Sequence, residues 1–223
     1  TRIVVVGDSH AAHWIPGLVA ASAANNWEII PLTKNNCPML DYPVVNPRLG
    51  RVFTECTDWR AHVIETIDSL APSLVILSFS GYPSATAPND LRAATQAAAE
   101  IRLIDQIHVP VAIFADVPRF SQLNPIPSCL ARNRAEVSPC TIPRAQGDPS
   151  GSHARDLLVG SELGIPVFDF TPGLCPGDIC APIVDGIIVY HDQHHLTRTM
   201  SRHLVEAAAP ALVSLLNQVA TPH

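Results

Sequence analysis

Two short segments near opposite ends of the chain carry the residue types of hydroxyl-nucleophile chemistry. Val4-Val5-Val6-Gly7-Asp8-Ser9-His10 is an apolar run that passes through Gly-Asp-Ser into a helical pattern. A serine at such a strand-to-helix turn sits outside the carboxyl end of a sheet, where open α/β folds bind ligands. Its amide stands at a helix N-terminus, where free N–H groups and the helix dipole favour a developing oxyanion. Gly7 permits the tight approach. The same residues also read as plain helix caps, because Asp and Ser side chains accept bonds from first-turn amides. The second segment, His191-Asp192-Gln193-His194-His195-Leu196-Thr197, lies just before the last helical pattern. A hydroxyl nucleophile needs an imidazole to take its proton, and the imidazole needs a carboxylate to fix its tautomer. Asp192 and His195, three apart on one turn, can supply both. His195 is preferred over His194 because it directly precedes an apolar residue and the helix start. Read alone, this segment is more simply a solvated loop with capping residues.

The remaining candidates have two readings each. His10 either lines an acyl site or is a first-turn surface histidine. His13 reads as a packed helix residue beside Trp14, and Trp14, Trp27 and Trp59 as core. Asp116 and Arg119 end a strand and either face the site or form a loop salt bridge, the simpler reading. His191, Asp192, His194 and His195 also suit a metal, but no second ligand pair with suitable spacing lies nearby, so no metal or other cofactor is expected.

The elements that must position these residues alternate along the chain. Apolar runs at 3–6, 27–32, 74–79, 109–115 and 166–169 read as parallel strands covered on both faces. Helical patterns lie between them at about 10–25, 57–70, 89–107 and 152–163, with a last one at about 197–217. Asn89 or Asp90 can cap the third, and Thr197 or a neighbour the last. Pro210 is expected to bend or interrupt that last helix. Strand and helix alternating five times predicts one doubly wound α/β domain over 1–223. Residues 33–57 and 120–150 break the rhythm and read as Pro-rich insertions walling the active-site end of the sheet, and a third Pro/Gly-rich loop at 171–185 holds the last cysteine couple.

The chain has 223 residues, 47% of them apolar and 15% charged, with a formal charge of −6. A large core is expected, and nucleic acid is not an expected partner. The longest apolar runs are far too short to cross a bilayer. No cleavable signal is visible, so an exported chain would be a fragment or processed form. Six cysteines fall into three local couples without a CxxC, and short loops favour neighbour pairing: Cys37–Cys56, Cys129–Cys140 and Cys175–Cys180. Three bridges imply an oxidising compartment, whereas six reduced buried thiols would remove that argument.

Taken together, Gly7-Asp8-Ser9-His10 and Asp192-Gln193-His194-His195-Leu196-Thr197 resemble the first and last blocks of the SGNH (GDSL-like) hydrolase superfamily. Ser9-His10-Ala11-Ala12-His13-Trp14, Asn36-Cys37-Pro38, Asp116-Val117-Pro118 and the late Cys175–Cys180 loop narrow the resemblance. They point to the SGNH domains fused to type-3 membrane acyltransferases of bacteria. It implies a three-layer α/β/α fold with a flavodoxin-like five-stranded parallel sheet. It also implies Ser9 as nucleophile, His195 as base and Asp192 as its orienting partner. The superfamily completes its oxyanion hole with a glycine amide and an asparagine side chain, and this sequence departs there. Beside the Ser9 amide it offers Asn36 after the second strand, and Ser80 or the Gly81 amide after the third. The activity implied is O-acylation, O-acetylation above all, of an envelope glycan or glycolipid outside the cytoplasm, the acyl group coming from a membrane acyltransferase part. A secreted carbohydrate esterase uses the same residues in the opposite direction, and a non-catalytic glycan-binding module would keep the fold alone.

Overall fold

Arg2–Gly7 forms the first strand, β1, and its alternation sorts side chains to two cores: Ile3 and Val5 to one face, Val4 and Val6 to the other. The structure, a computed structural model, describes residues 1–46, 48–87, 92–120 and 125–220. The other parallel strands are β2 (Glu28–Thr33), β3 (Leu74–Ser78), β4 (Val111–Phe114) and β5 (Val167–Phe168), in the order β2-β1-β3-β4-β5. This is the flavodoxin-like order, with its switch point between β1 and β3. β3 and β4 are buried throughout, as a sheet covered on both faces requires.

The helices are α1 (Ser9–Ala12), α2 (Ile15–Asn25), α3 (Thr54–Leu70), α4 (Ala93–Ile104), α5 (Ser152–Leu163) and α6 (Arg198–Ala220). α2 and α6 cover one face, where Trp14, Leu18, Val205 and Leu212 pack on Ile3, Val5 and Ile76. α3, α4 and α5 cover the other, where Val63, Ile67, Leu103 and Val159 meet Val4, Val75 and Ile113.

Three expectations about helices change in detail. The pattern at 10–25 splits after Ala12, because Pro16 has no N–H to continue a helix and starts α2 instead. The helix expected over 89–107 is described from Ala93, and the suggested caps Asn89 and Asp90 lie outside the described residues. Pro210 does not interrupt α6, which runs on to Ala220 with Leu204, Val205, Leu212 and Leu216 anchored in the core on both sides of it. Thr197 caps α6 as expected, its Oγ1 accepting from the Met200 amide at 3.1 Å.

Two glycines are required by close approach. At Gly7, with φ of 148°, an added Cβ would stand 1.9 Å from the Ser78 carbonyl oxygen across β1 and β3. At Gly17 it would stand 2.3 Å from the Ser201 carbonyl oxygen, so α2 and α6 touch backbone to backbone. The three cysteine couples are bonded as neighbours: Cys37–Cys56, Cys129–Cys140 and Cys175–Cys180.

Candidate active site

Ser9 opens α1 directly after the end of β1, and the question of which residue caps that helix has a clear answer. The buried Asp8 carboxylate accepts from the His10 amide at 2.8 Å and from the Ser80 amide at 3.2 Å. The Ser9 hydroxyl is therefore free of capping work. It stands 2.8 Å from Nε2 of His195, a residue 186 positions away. Nδ1 of His195 lies 2.6 Å from Asp192 Oδ2, and Oδ1 of Asp192 accepts from the amides of His194 and His195 at 2.8 Å each. Burial alone would raise the Asp192 carboxyl. The bonds from His195 and from the two amides outweigh it and hold the group below the usual carboxylate range. Nδ1 of His195 is thereby assigned the proton, and Nε2 is left with its lone pair toward Ser9.

The loop that carries Asp192 and His195 is closed on itself and pinned from outside. His191 donates its amide to the His195 carbonyl at 3.0 Å, and Thr197 to Val189 at 2.9 Å. From the second insertion, the Phe120 amide reaches the Gln193 carbonyl at 2.7 Å and the Ile126 amide the Asp192 carbonyl at 3.2 Å. Residues of the second insertion thus clamp the loop that carries Asp192 and His195.

His10 is no surface histidine; it is 1% exposed, its ring held between two partners, and it borders the cleft beside Ser9. Nδ1 bonds Asp116 Oδ1, and Nε2 lies 2.8 Å from Nδ1 of His194. The expected Asp116–Arg119 salt bridge is therefore replaced: Asp116 faces His10, and Arg119 Nη2 donates to Ser80 Oγ. Burial pushes the Asp116 carboxyl up, but the His10 ring, the Arg119 charge and the Ser152 hydroxyl hold it well below the usual range. Burial, with the charges of His10 and His195 beside it, takes His194 down to about 3, so that ring is neutral. His13 packs against Trp14 as expected, and burial leads the shift that keeps it neutral too. Both its ring nitrogens are buried without a hydrogen-bond partner among the described residues.

Ser9 and His195 floor a cleft of about 370 Å³ walled by Asn35, Asn36, Arg48, Ser80, Gly81, Tyr82, Arg119 and His194. On the other side of Ser9 a second cleft of about 360 Å³ is lined by Ala12, His13, Pro16, Leu196 and Arg198. Of the proposed oxyanion donors, Asn36 accepts the Tyr82 hydroxyl on its oxygen at 3.3 Å, which turns its NH₂ to other partners. The Ser80 amide is committed to Asp8, leaving its hydroxyl, and Gly81 borders the cleft. Ring nitrogens of His10, His194 and His195 lie within 4.8 Å of one another, and His191, Asp192 and His195 form a similar group. A cation in either would compete with the bonds to Ser9 and Asp192.

Residues 1–210 match the SGNH domain of the kind fused to AT3 domains. The chain belongs to that family. No curated protein sequence matches this SGNH domain. Among solved structures it is similar to the periplasmic domain of a lipopolysaccharide acetyltransferase from Salmonella ser. Paratyphi A. That likeness has 20% identity and a TM-score of 0.72, covering 95% of this chain and 83% of that one. It is also similar to an aryl esterase of M. smegmatis in inhibitor-bound form, with 17% identity and a TM-score of 0.57, covering 96% and 99%. TesA follows at 14% identity and a TM-score of 0.55, over 96% and 99%. At these identities the shared property is the fold. No helix of the SGNH domain is long and apolar enough to cross a membrane among the described residues.

Sequence reasoning weighed His194 only as a rival base and a metal ligand, and did not single out Arg48 or Tyr82 for the site. His194 carried a signal, a second histidine beside the expected base; Arg48 and Tyr82 carried none, because their loops have no periodicity to place them.

Proposed function

We propose that this SGNH domain transfers an acetyl or similarly short acyl group to a hydroxyl of an envelope glycan or glycolipid outside the cytoplasm. The observation that carries the reading is the continuous chain from Ser9 Oγ to His195 to Asp192, assembled from opposite ends of the sequence. In this mechanism His195 Nε2 takes the Ser9 proton as Oγ attacks the acyl carbonyl, and Asp192 holds the imidazolium that forms. The Ser9 amide, the Asn36 side chain and the Gly81 or Ser80 loop receive the oxyanion. The donor's leaving group departs with the proton from His195. The acyl-Ser9 ester is then attacked by the acceptor hydroxyl, again through His195.

The three disulfides support an oxidising compartment. The family's AT3 fusion and the lipopolysaccharide acetyltransferase neighbour support a membrane-borne acyl supply and a glycan acceptor. Incubation with p-nitrophenyl acetate is expected to leave one acetyl group on Ser9, seen by peptide mass spectrometry, and Ser9→Ala to abolish both the adduct and acyl transfer. Full transfer and esterase activity in Ser9→Ala would show the mechanism wrong. A second reading, a carbohydrate esterase that passes the acyl group to water, shares every step but the last, and the esterase neighbour favours it. Rapid turnover of the aryl acetate without a sugar acceptor would select it.

A further inference from the structure

We infer that His194 is a second working imidazole of the cleft, held by His10 and Asp116 so that its Nε2 accepts a hydroxyl next to the one being acylated, which makes a vicinal diol or polyol the acceptor class. The inference rests on the acyl-transfer reading above.

The argument begins at Asp116. Its Oδ1 takes the His10 ring N–H and the Val117 amide, the latter at 2.9 Å, and its Oδ2 takes the Ser152 hydroxyl. A carboxylate that only accepts is ionised, and it fixes a proton of His10 on Nδ1. Nε2 of His10 stands 2.8 Å from Nδ1 of His194, and in the proposed arrangement it accepts the Nδ1–H of that ring. The proton of His194 is thereby placed, and its Nε2 is left as a bare acceptor. That nitrogen has no partner among the described residues, and His194 borders the cleft. The neutrality of His194, imposed first by burial, keeps the lone pair available.

The order of groups, carboxylate to buried imidazole to cleft imidazole, repeats that of Asp192 and His195 one residue away. A purely structural His–Asp pair would end at His10; this one continues to a half-buried ring with a free nitrogen. The His194 and His195 ring centroids are 4.0 Å apart, so hydroxyls on neighbouring carbons can meet both. In the transfer step His195 Nε2 takes the proton of the attacking hydroxyl and its oxygen bonds the acyl carbon. The bond from that carbon to Ser9 Oγ breaks, and Oγ recovers the proton from His195. The neighbouring hydroxyl donates to His194 throughout and is not consumed. A single alcohol leaves that acceptor without a substrate partner and is disfavoured.

The test uses the whole SGNH domain with p-nitrophenyl acetate as donor and an equimolar mixture of glycerol and n-propanol as acceptors, with the acetate esters quantified by mass spectrometry. Wild type is expected to prefer glycerol per primary hydroxyl. His194→Ala is expected to lower the glycerol-to-propanol ratio about tenfold, and His194→Gln, whose amide oxygen accepts, to recover part of it. His10 and Asp116 act as positioning residues, so His10→Ala and Asp116→Asn shift the same ratio. Independently of any variant, ¹⁵N NMR of the wild-type domain is expected to show the His194 proton on Nδ1. Equal use of the two alcohols by wild type, an unchanged ratio in His194→Ala, or the proton on Nε2 would overturn the inference while leaving the acyl-transfer reading intact. Absence of acetyl on wild-type Ser9 would overturn the reading itself and the inference with it.

Discussion

Asp192 accepts bonds from one imidazole and two amides, and in the proposed mechanism its work is to hold the His195 tautomer. Asp192→Asn keeps the shape but permits the wrong tautomer. Turnover of an aryl acetate is expected to fall roughly ten-thousandfold with the fold intact by circular dichroism. Asp116 has a folded-state pKa held below the usual range, so its contribution to stability is present above the unfolded carboxylate value. That contribution is lost as pH falls below about 4. The gap in urea-unfolding free energy between wild type and Asp116→Asn is therefore expected to be full at neutral pH and to shrink on acidification. The Ser9, Asp192 and His195 constellation was legible in the sequence only when the two end motifs were taken together with their resemblance to the SGNH blocks, since each motif alone reads as caps or a solvated loop. The Asp116–His10 bond was not. It joins residues 106 positions apart, each of which had an adequate local explanation.

At the scale of elements, α2 and α6 meet at Gly17, whose amide donates to Ser201 Oγ at 3.1 Å. Gly17→Ala drives a methyl into the Ser201 carbonyl and the Val205 side chain. A loss of about 1–3 kcal/mol in unfolding free energy is expected, measured by denaturant titration. On the opposite face α5 carries the fully buried Arg155, whose Nη2 bonds Asp156 Oδ1 at 2.6 Å and the Phe79 carbonyl at 2.8 Å; its Nε stands 2.8 Å from Glu100. Asp156 in turn accepts the Asp116 amide at 2.7 Å. Arg155→Met strands buried carboxylates and is expected to cost about 3–5 kcal/mol. Strand and helix order was readable from apolar runs and their punctuation. The break of the first helix was not read, although Pro16 stood in view, because the surrounding pattern is helical on both sides. The continuity of α6 through Pro210 also went unread, since packing against β1 and α2 overrides a local propensity. Arg155 gave no sequence signal, for a lone charge in a helical pattern ordinarily faces water.

For the molecule as a whole, the disulfides fasten insertions rather than the sheet, and the first of these insertions lines the cleft. The Cys37–Cys56 bridge closes a segment of 19 residues that contains Asn36's loop neighbours and Arg48. Its removal by Cys37→Ala with Cys56→Ala is expected to cost about 3 kcal/mol and to lower the melting temperature seen by calorimetry. The pairing was legible because each couple lies within one insertion; the shape of the insertions was not, since loops are placed by their contacts and not by a repeat. One further consequence follows from the contact of α2 with α6. The serine is followed by the first of these helices and the histidine is followed by the second, so a single seam joins the first and last elements of this domain. Turnover then serves as a gauge of completed folding. A domain whose last helix has lifted from α2 falls silent before its central strands come apart.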